Sequence, residues 1–386
     1  MTDPVTPDAV QVLSEQATYR LPLRIVAAAR ALAGCPAALY IVDLDGSCLI
    51  CVEGDDERFP QRITAPLGVG PELEPAVVGE LARMVESKVP GAQVVPLLLR
   101  DRALGVLVCA DAPREPLEEL ARQAALALEL GGGYSDVLHS ARRHRMPTAA
   151  GEIQQNLLPP RIARLDGTVL SGGVLPGYDV GGDFFDYADN ADGLWLAVAD
   201  AMGKGNHAAA LASVAIGALR AARRGGATLE QAADAMHEVV VDAGDRLGFV
   251  TAVLAVWQPR TRLLRWINCG HPQPVVLADD GGHRVLADGG TYPLGLFREE
   301  RVFTSAEARL EEDERLLLYS DGVTERRDDA GEQIGLAGLL DVVNAAGDGS
   351  APRTVRLIQD SVLAASSAPL RDDATLMVVD PRLPRR

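Results

Sequence analysis

The pattern of apolar and polar residues divides the chain into parts with different predicted elements. In the first part, apolar residues recur at helical spacing over 23–34 and 74–88. Short apolar runs typical of strands lie around them, at 37–43, 47–53, 94–100 and 103–111. The dipeptide Asp45-Gly46 between the first two runs predicts a hairpin turn. These elements predict one compact α+β unit that ends near residue 112.

A predicted helical connector follows over 115–158. Its first segment, 115–130, is strongly amphipathic and has an apolar stripe that must be buried against its own domain or against a second copy of the chain, formed by Leu117, Leu120, Ala121, Ala124 and Leu128. Gly131–Gly133 and Pro147 interrupt the helical pattern before it resumes in the segment that ends at Pro159-Pro160. Packing of this kind leads us to expect a homodimer.

The last part contains longer strands and paired helices. Helical periodicity indicates helices near 206–223, 228–243, 334–345 and 353–365, and apolar runs indicate strands at 167–177, 194–200, 249–257, 262–270, 314–322 and 373–380. Pairs of helices between runs of strands favour an antiparallel, layered α+β domain. The predicted organisation is a short or disordered segment 1–19, a domain 20–112, a linker 113–164 and a domain 165–381.

Composition and charge narrow the class of protein. The 386 residues are 47% hydrophobic and 24% charged, which excludes wholesale disorder. The net charge of −17 argues against nucleic acid or an anionic membrane as the main partner. No apolar run approaches the roughly 20 residues of a membrane span, and the acidic N-terminus lacks the features of a signal peptide. We therefore expect a cytoplasmic protein.

Four acidic turns carry the candidate chemistry of the last part. Asp183, Asp200, Asp321 and Asp372 each lie where an apolar strand begins or ends. Such positions bring carboxylates together at the rim of a sheet, where they repel one another unless a cation joins them. Hard divalent ions such as Mg²⁺ and Mn²⁺ prefer these oxygen ligands. The alternative for any single turn is that the aspartate only caps or closes it.

A resemblance to a known family rests on seven motifs that occur in the family's order and spacing. They are VGGDFFD at 180–186, ADAMGKG at 199–205, FVTA at 249–252, NCGHPQP at 268–274, PLGL at 293–296, LLLYSDGVTE at 316–325 and DDAT at 372–375. Over about 165–381 the chain resembles the SpoIIE/RsbU-like bacterial branch of the PPM family, which are metal-dependent Ser/Thr protein phosphatases. Residues 20–112 resemble a GAF sensor domain more weakly, through the order of elements and the GVLVCAD strand.

The resemblance implies an αββα sandwich with two Mn²⁺ or Mg²⁺ ions at one end of its sheets. Asp183 and Asp200 would hold the metals, together with the main-chain carbonyl of Ala201, and Asp321 and Asp372 would complete the shell of the second ion. Water activated between the ions would attack phosphorus in line. The implied substrate is phosphoserine or phosphothreonine on a small anti-anti-sigma (STAS-domain) protein, with control by an unknown ligand or protein at the GAF-like domain.

Two positions depart from the pattern of the eukaryotic members of this family. Met202 stands where they carry a histidine proposed to protonate the leaving group, and their phosphate-binding arginine has no clear match. Lys204, in the loop after Asp200, is a candidate for contact with the phosphate, or else a solvated loop lysine. His207 and His271 have no second histidine or cysteine at ligand spacing, which favours structural roles.

Two competing interpretations of the sequence fit it less well. IVDLDGS at 41–47 mimics the DxDGT motif of haloacid-dehalogenase-like phosphatases, but the second strand that follows at once is typical of a hairpin and not of their parallel sheet. A catalytically silent regulator with a PPM fold would be natural if a metal-binding acid were replaced, whereas all four are present.

Overall fold

A computed structural model describes residues 17–54, 57–110, 115–165, 167–175, 181–243, 248–297, 302–347 and 349–381. The chain divides into two compact units, Met1–Arg145 and Met146–Arg386, and the division falls within the predicted linker 113–164. Most of the predicted segment 1–19 lies outside the described residues. No helix in the described part of the chain is long and apolar enough to cross a membrane.

The first unit is an antiparallel sheet with helices on its faces. In chain order its helices and strands are α1 Leu21–Ala33, β1 Ala37–Val42, β2 Cys48–Gly54, β3 Arg62–Thr64, β4 Gly68–Val69, β5 Glu72–Leu73, α2 Val78–Glu86, β6 Ala92–Leu99, β7 Arg102–Ala110, α3 Glu115–Gly131 and α4 Val137–Ala141. Gly34 ends α1 in a left-handed conformation that glycine adopts without strain. The strand order is β3-β2-β1-β7-β5-β4, and β6 pairs with β7. The two predicted helices and the predicted hairpin at Asp45-Gly46 are confirmed.

Asp43 closes the hairpin between β1 and β2. Its carboxylate accepts hydrogen bonds from the main-chain N–H groups of Ser47 and Cys48 and from the Ser47 hydroxyl. The side chain is fully buried by these contacts. Asp43 therefore has a structural role in the turn, which agrees with the hairpin interpretation of the IVDLDGS motif.

Helix α3 packs on its own unit. The five residues of its predicted apolar stripe are all at most 3% exposed and share a core with residues of α1 and the sheet, including Leu21, Ile25, Leu97 and Leu107. Arg102 of β7 adds a buried ion pair to Glu72 and a second ion pair to Glu129 of α3, each at 2.6 Å. The stripe is therefore buried against its own domain, which is one of the two alternatives that the sequence left open.

The second unit contains two sheets with helices on their outer faces. Its helices and strands are α5 Ala149–Leu157, β8 Ile162–Leu165, β9 Thr168–Leu175, β10 Asp183–Asn190, β11 Gly193–Ala201, α6 Asn206–Arg224, α7 Leu229–Ala243, β12 Val250–Gln258, β13 Leu263–Cys269, β14 Val275–Ala278, β15 His283–Val285, β16 Gly290–Thr291, β17 Ala306–Arg309, β18 Glu314–Tyr319, α8 Asp321–Thr324, α9 Gly335–Ala346, α10 Ala351–Ala364 and β19 Ala374–Asp380. The predicted helix pairs and the six predicted strands are confirmed. For most of the ends that the structure describes, the predicted and observed bounds differ by no more than two residues.

The two sheets pack face to face and build the layers that the resemblance implied. One sheet has the order β10-β11-β12-β13-β16, with β17 also paired to β13, and the other has the order β15-β14-β18-β19-β9-β8. Side chains alternate along the strands, so that Phe185 and Val198 lie in the core between the sheets while Phe184 and Ala199 pack against α6 and α7. Helix α10 covers the other sheet by packing on β9 and β19. The result is an αββα sandwich.

Candidate metal centre

Asp183 and Asp200 face each other across two neighbouring strands. Asp183 begins β10, Asp200 lies one residue before the end of β11, and the antiparallel register pairs them directly. Residues paired in this way place their side chains on the same face of the sheet, with Cβ atoms about 5 Å apart. Asp183 is 2% exposed, and its Oδ2 accepts a 2.6 Å hydrogen bond from the Ser320 hydroxyl. The first two predicted ligands are therefore together at one end of the sandwich.

Asp321 and Asp372 come to the same end from the other sheet. Asp321 follows Ser320 after strand β18, and Asp372 lies two residues before β19 begins. Ser320 joins these strand ends, because its N–H donates to the carbonyl of Thr375 and its hydroxyl oxygen accepts from the Thr375 N–H. Gly322 is required by the close approach of the two segments, since a Cβ at this position would lie 1.8 Å from the carbonyl oxygen of Asp373.

The pKa values of three of these aspartates are raised by burial and by neighbouring carboxylates. Burial raises the pKa of Asp183 well above its ordinary value, and the charges of Asp200 and Asp373 raise it further. Burial is also the main cause that raises the pKa of Asp200 to about 6, with repulsion from Asp321 and Asp372 added to it. The pKa of Asp321 is raised by burial and by its acidic neighbours Glu325 and Asp372.

This donor set fits a divalent cation. The group consists of carboxylate oxygens, which are the ligands that Mg²⁺ and Mn²⁺ prefer. Asp183 is buried and Asp200 is partly buried, and burial and mutual repulsion favour the protonated forms of both carboxyls. A divalent ion would replace the protons and remove the repulsion. The assignment of the individual aspartates as ligands is a proposal that this arrangement supports.

Asp373 is a residue that the motif analysis missed, and it differs from its neighbour Asp372. It is 2% exposed, and burial raises its pKa to about 7. Its Oδ2 accepts hydrogen bonds from the main-chain N–H groups of Gly182 and Asp183, at 3.0 and 3.2 Å. Its Oδ1 is buried and has no hydrogen-bond partner among the described residues. Asp373 therefore holds the loop that carries Asp183, whereas the side chain of Asp372 is about half exposed.

Gln154 of helix α5 is the second residue that was missed. Its side-chain amide donates to Asp373 Oδ2 at 2.8 Å and to the main-chain carbonyl of Asp183 at 2.9 Å. The helix lies close to the same loop, because a Cβ on Gly181 would be 2.8 Å from the Cβ of Ala150. A signal was present in the sequence, since Gln154 shares with Ala150 and Leu157 the face that α5 turns to the core.

The loop after Asp200 carries the remaining predicted residues. The N–H of Ala201 donates to the Gly182 carbonyl at 3.2 Å, which places Ala201 beside the Asp183 loop. The ammonium group of Lys204 donates to the main-chain carbonyl of Arg371 and lies 3.6 Å from Asp372 Oδ2. Lys204 therefore lies beside Asp372 at the edge of this group of aspartates.

His271 and Asp186 have surroundings that suit structural roles. His271 Nδ1 is 2.8 Å from the Thr251 hydroxyl, and burial lowers the pKa of this histidine to about 3, so it is neutral. His207 is exposed in the first turn of α6. Asp186, which the GGDFFD motif also contains, is buried in ion pairs with Arg220 and Arg223 at 2.8 and 2.9 Å. Val180, the first residue of the longer motif, lies outside the described residues.

Among the described residues, the one group of three or more possible ligands whose atoms all lie within 4.8 Å is in the first unit, whereas the carboxylates of Asp183, Asp200, Asp321 and Asp372 are spaced more widely. Potential ligand atoms of Asp43, Asp45 and His144 lie within 4.8 Å of one another. The Asp43 carboxylate is already bonded to the hairpin turn, and His144 Nε2 lies 3.8 Å from an Asp45 oxygen. We assign this group to the structure of the hairpin and its neighbouring segment.

Comparisons with known proteins agree with the fold and the site. The family model of stage II sporulation protein E (SpoIIE) matches residues 190–382. The chain is 25% identical to the phosphoserine phosphatase RsbU of Bacillus subtilis over 232 residues, which cover 60% of this chain and 68% of RsbU. It is 32% identical to the phosphoserine phosphatase RsbP of the same organism over 88 residues, which are 23% of this chain but only 21% of RsbP.

A solved structure supports the same fold. The SiaA-PP2C domain of Pseudomonas aeruginosa superposes with a TM-score of 0.50 and 19% identity, covering 59% of this chain and 93% of that domain. Phosphatases of the PP2C type use divalent metal ions, in agreement with the carboxylate group at the end of the sandwich. The SpoIIE match takes in half of the chain and includes three of the four acidic turns, at Asp200, Asp321 and Asp372. The chain therefore belongs to the SpoIIE family, and it is a protein-serine/threonine phosphatase of the PP2C type.

Proposed function

We propose that this phosphatase removes phosphate from phosphoserine or phosphothreonine on an anti-anti-sigma (STAS-domain) regulator, with two Mn²⁺ or Mg²⁺ ions held by Asp183, Asp200, Asp321, Asp372 and the carbonyl of Ala201. The observation that carries the proposal is the position of four aspartates at strand ends of two sheets at one end of the sandwich, with raised pKa values at three of them. The similarity to RsbU and RsbP, both named as phosphoserine phosphatases, supports a phosphorylated protein substrate.

The side chains have separate tasks in this proposal. When bound, the divalent ions activate water for attack on phosphorus and neutralise charge on the phosphoryl oxygens. Asp183 and Asp200 fix the position of the reaction on one sheet, and Asp321 and Asp372 fix it from the other. Lys204 lies beside Asp372 and is placed to contact a phosphoryl oxygen.

We assign the control of this activity to the N-terminal unit, as a GAF-like sensor domain. Helix α5 begins four residues after the boundary between the units and contacts the Asp183 loop through Gln154. A change in the position of α5 would therefore alter the geometry of the proposed metal ligands. A ligand or protein bound by the first unit, and a homodimer of the chain, are parts of this proposal that follow from the resemblance.

The substrate is tested in two steps. The purified chain is incubated with a serine-phosphorylated STAS-domain protein and Mn²⁺, and the loss of phosphate is followed by mass spectrometry. Phosphoproteomes of cells with and without the protein are then compared. We expect phosphorylated STAS protein to accumulate in the cells that lack it. A deletion strain without such accumulation would contradict the proposed substrate while leaving the phosphatase activity itself in place.

A further inference from the structure

A loop between β16 and β17 exposes three large apolar side chains. Tyr292, Leu296 and Phe297 are 61%, 40% and 45% exposed and lie within one short stretch of this loop. The rings of Tyr292 and Phe297 pack edge to face with their centres 5.3 Å apart, so the three residues form a contiguous apolar patch. Exposed apolar residues that occur singly are ordinary, whereas a contiguous patch indicates an interaction surface.

The apolar patch lies at the end of the sandwich that holds the proposed metal ligands. Val250 of β12 pairs with Ala201 of β11 on one side and with Leu294 on the other. Neighbouring strands are about 4.8 Å apart, which places the Leu294 backbone roughly 10 Å from that of Ala201. An extended peptide covers this distance in about three residues. The apolar patch is therefore within reach of residues roughly three to five positions away from a phosphoserine held at the aspartates.

Contacts inside the second unit hold the backbone of this loop in place. Leu294 is fully buried, and its main chain exchanges two hydrogen bonds with Val250, at 2.8 and 2.9 Å. The N–H of Gly295 donates to His237 Nδ1 of α7 at 3.1 Å. The loop packs directly on this helix, because a Cβ on Gly295 would lie 2.3 Å from Val240 Cγ1. The apolar patch is thus formed before any partner binds, which reduces the entropy cost of binding.

We propose that the apolar patch binds apolar side chains of the protein substrate that lie roughly three to five residues from its phosphoserine. The proposal rests on the proposed phosphatase function and adds the recognition of residues beside the phosphoserine. A protein phosphatase must bring a protein surface onto its metal centre, and the apolar patch is continuous with that end of the sandwich. The net charge of −17 repels an anionic phosphoprotein, whereas apolar contact supplies affinity that does not depend on charge.

The test compares two nine-residue peptides with a central phosphoserine on the full chain in Mn²⁺. One peptide has leucine and the other glutamine at the third and fourth positions on each side of the phosphoserine, and p-nitrophenyl phosphate reports on the reaction centre alone. The enzymes are the wild-type chain, Leu296→Ser, the Tyr292→Ser/Phe297→Ser double variant and Leu363→Ser. Leu363 is 50% exposed on α10, in the helix layer of the other sheet, which makes it a matched control for Leu296→Ser.

We expect the kcat/KM of the wild-type chain to be about ten-fold higher for the leucine peptide than for the glutamine peptide, as burial of roughly 60 Å² of apolar surface would give. The double variant should lose most of this preference, mainly through KM, and Leu296→Ser should lose part of it. Leu363→Ser should keep the preference of the wild-type chain.

Equal kcat/KM for the two peptides in the wild type, or equal losses of preference in Leu296→Ser and Leu363→Ser, would overturn the proposal. A double variant that keeps the preference but sediments with a smaller mass than the wild type would identify the apolar patch as an interface between copies of the chain, which also overturns it. Absence of Mn²⁺-dependent hydrolysis of every probe, p-nitrophenyl phosphate included, would instead contradict the phosphatase function itself.

Discussion

Replacing Gln154 by alanine removes the link between helix α5 and the proposed metal centre. The substitution deletes the hydrogen bonds to Asp373 Oδ2 and to the Asp183 carbonyl, both made by a side chain that is 2% exposed. Asp373 keeps the two main-chain N–H donors of Gly182 and Asp183, so its carboxylate is not left without partners. We therefore expect the free energy of unfolding to fall by about 2–3 kcal/mol. This is a low value for the loss of two buried hydrogen bonds, one of them to a carboxylate.

The consequence for function is a weaker metal centre. Gln154 and Asp373 both fix the loop of Asp183. Loss of the Gln154 side chain should therefore reduce the affinity for Mn²⁺ about five-fold, which corresponds to roughly 1 kcal/mol of binding free energy. The assays are urea unfolding of the full chain and calorimetric titration with Mn²⁺. The control is Asn156→Ala, which removes an exposed side chain bonded only within α5, to Glu152.

The control should change the free energy of unfolding by less than about 0.5 kcal/mol and leave Mn²⁺ affinity unchanged. The two variants then differ only in whether α5 holds the Asp183 loop. Equal stabilities and equal Mn²⁺ affinities for Gln154→Ala and Asn156→Ala would refute the reasoning. They would also remove the structural basis for control of the site through α5.

Three further predictions follow from the same site. Asp372→Asn should strongly weaken Mn²⁺ binding and activity. Asp373→Asn should retain both, because an amide oxygen can accept the hydrogen bonds that Asp373 accepts. Equal losses of Mn²⁺ affinity in calorimetry would contradict this difference. Because burial raises the pKa of Asp200 to about 6 and of Asp373 to about 7, the fold favours their protonated forms. These two carboxyls therefore contribute stability to the metal-free protein that is fully present below about pH 4 and is lost as pH rises to about 7. The wild-type melting temperature should fall more between pH 5 and 7 than that of Asp373→Asn, and Mn²⁺ should abolish this difference. Finally, chains starting at Ala150 and at Leu165 should differ from the full chain in activity and in Mn²⁺ dependence; three identical profiles would exclude control by the N-terminal unit.

The architecture of the second unit could be predicted because its signals are local. Helical periodicity over 206–223 and apolar runs such as 194–200 correspond to α6 and β11, since the side-chain period of each element is set by the backbone. The acidic turns could be predicted as one site because each follows or precedes such a strand. Their order and spacing then supplied the resemblance to the phosphatase family.

The contacts that hold the site together could not be predicted in this way. Asp373 is next to Asp372 in the sequence, yet the Asp373 carboxylate holds a loop while the Asp372 side chain is about half exposed. Asp186 belongs to the same motif as Asp183 but is neutralised by Arg220 and Arg223 from α6. Such differences depend on which distant segments pack together, and neither spacing nor composition contains that information.

The most direct test of the central claim measures phosphate release and Mn²⁺ binding together, for the wild-type chain and for Asp200→Asn. The wild-type chain should release phosphate from a phosphoserine peptide only with Mn²⁺ or Mg²⁺, lose activity in chelator and regain it when metal is restored. Asp200→Asn removes one charge from the centre of the carboxylate group and should bind Mn²⁺ weakly and be inactive, with unchanged circular dichroism. Full turnover by Asp200→Asn, or undiminished wild-type activity in chelator, would contradict a metal centre built from these four aspartates.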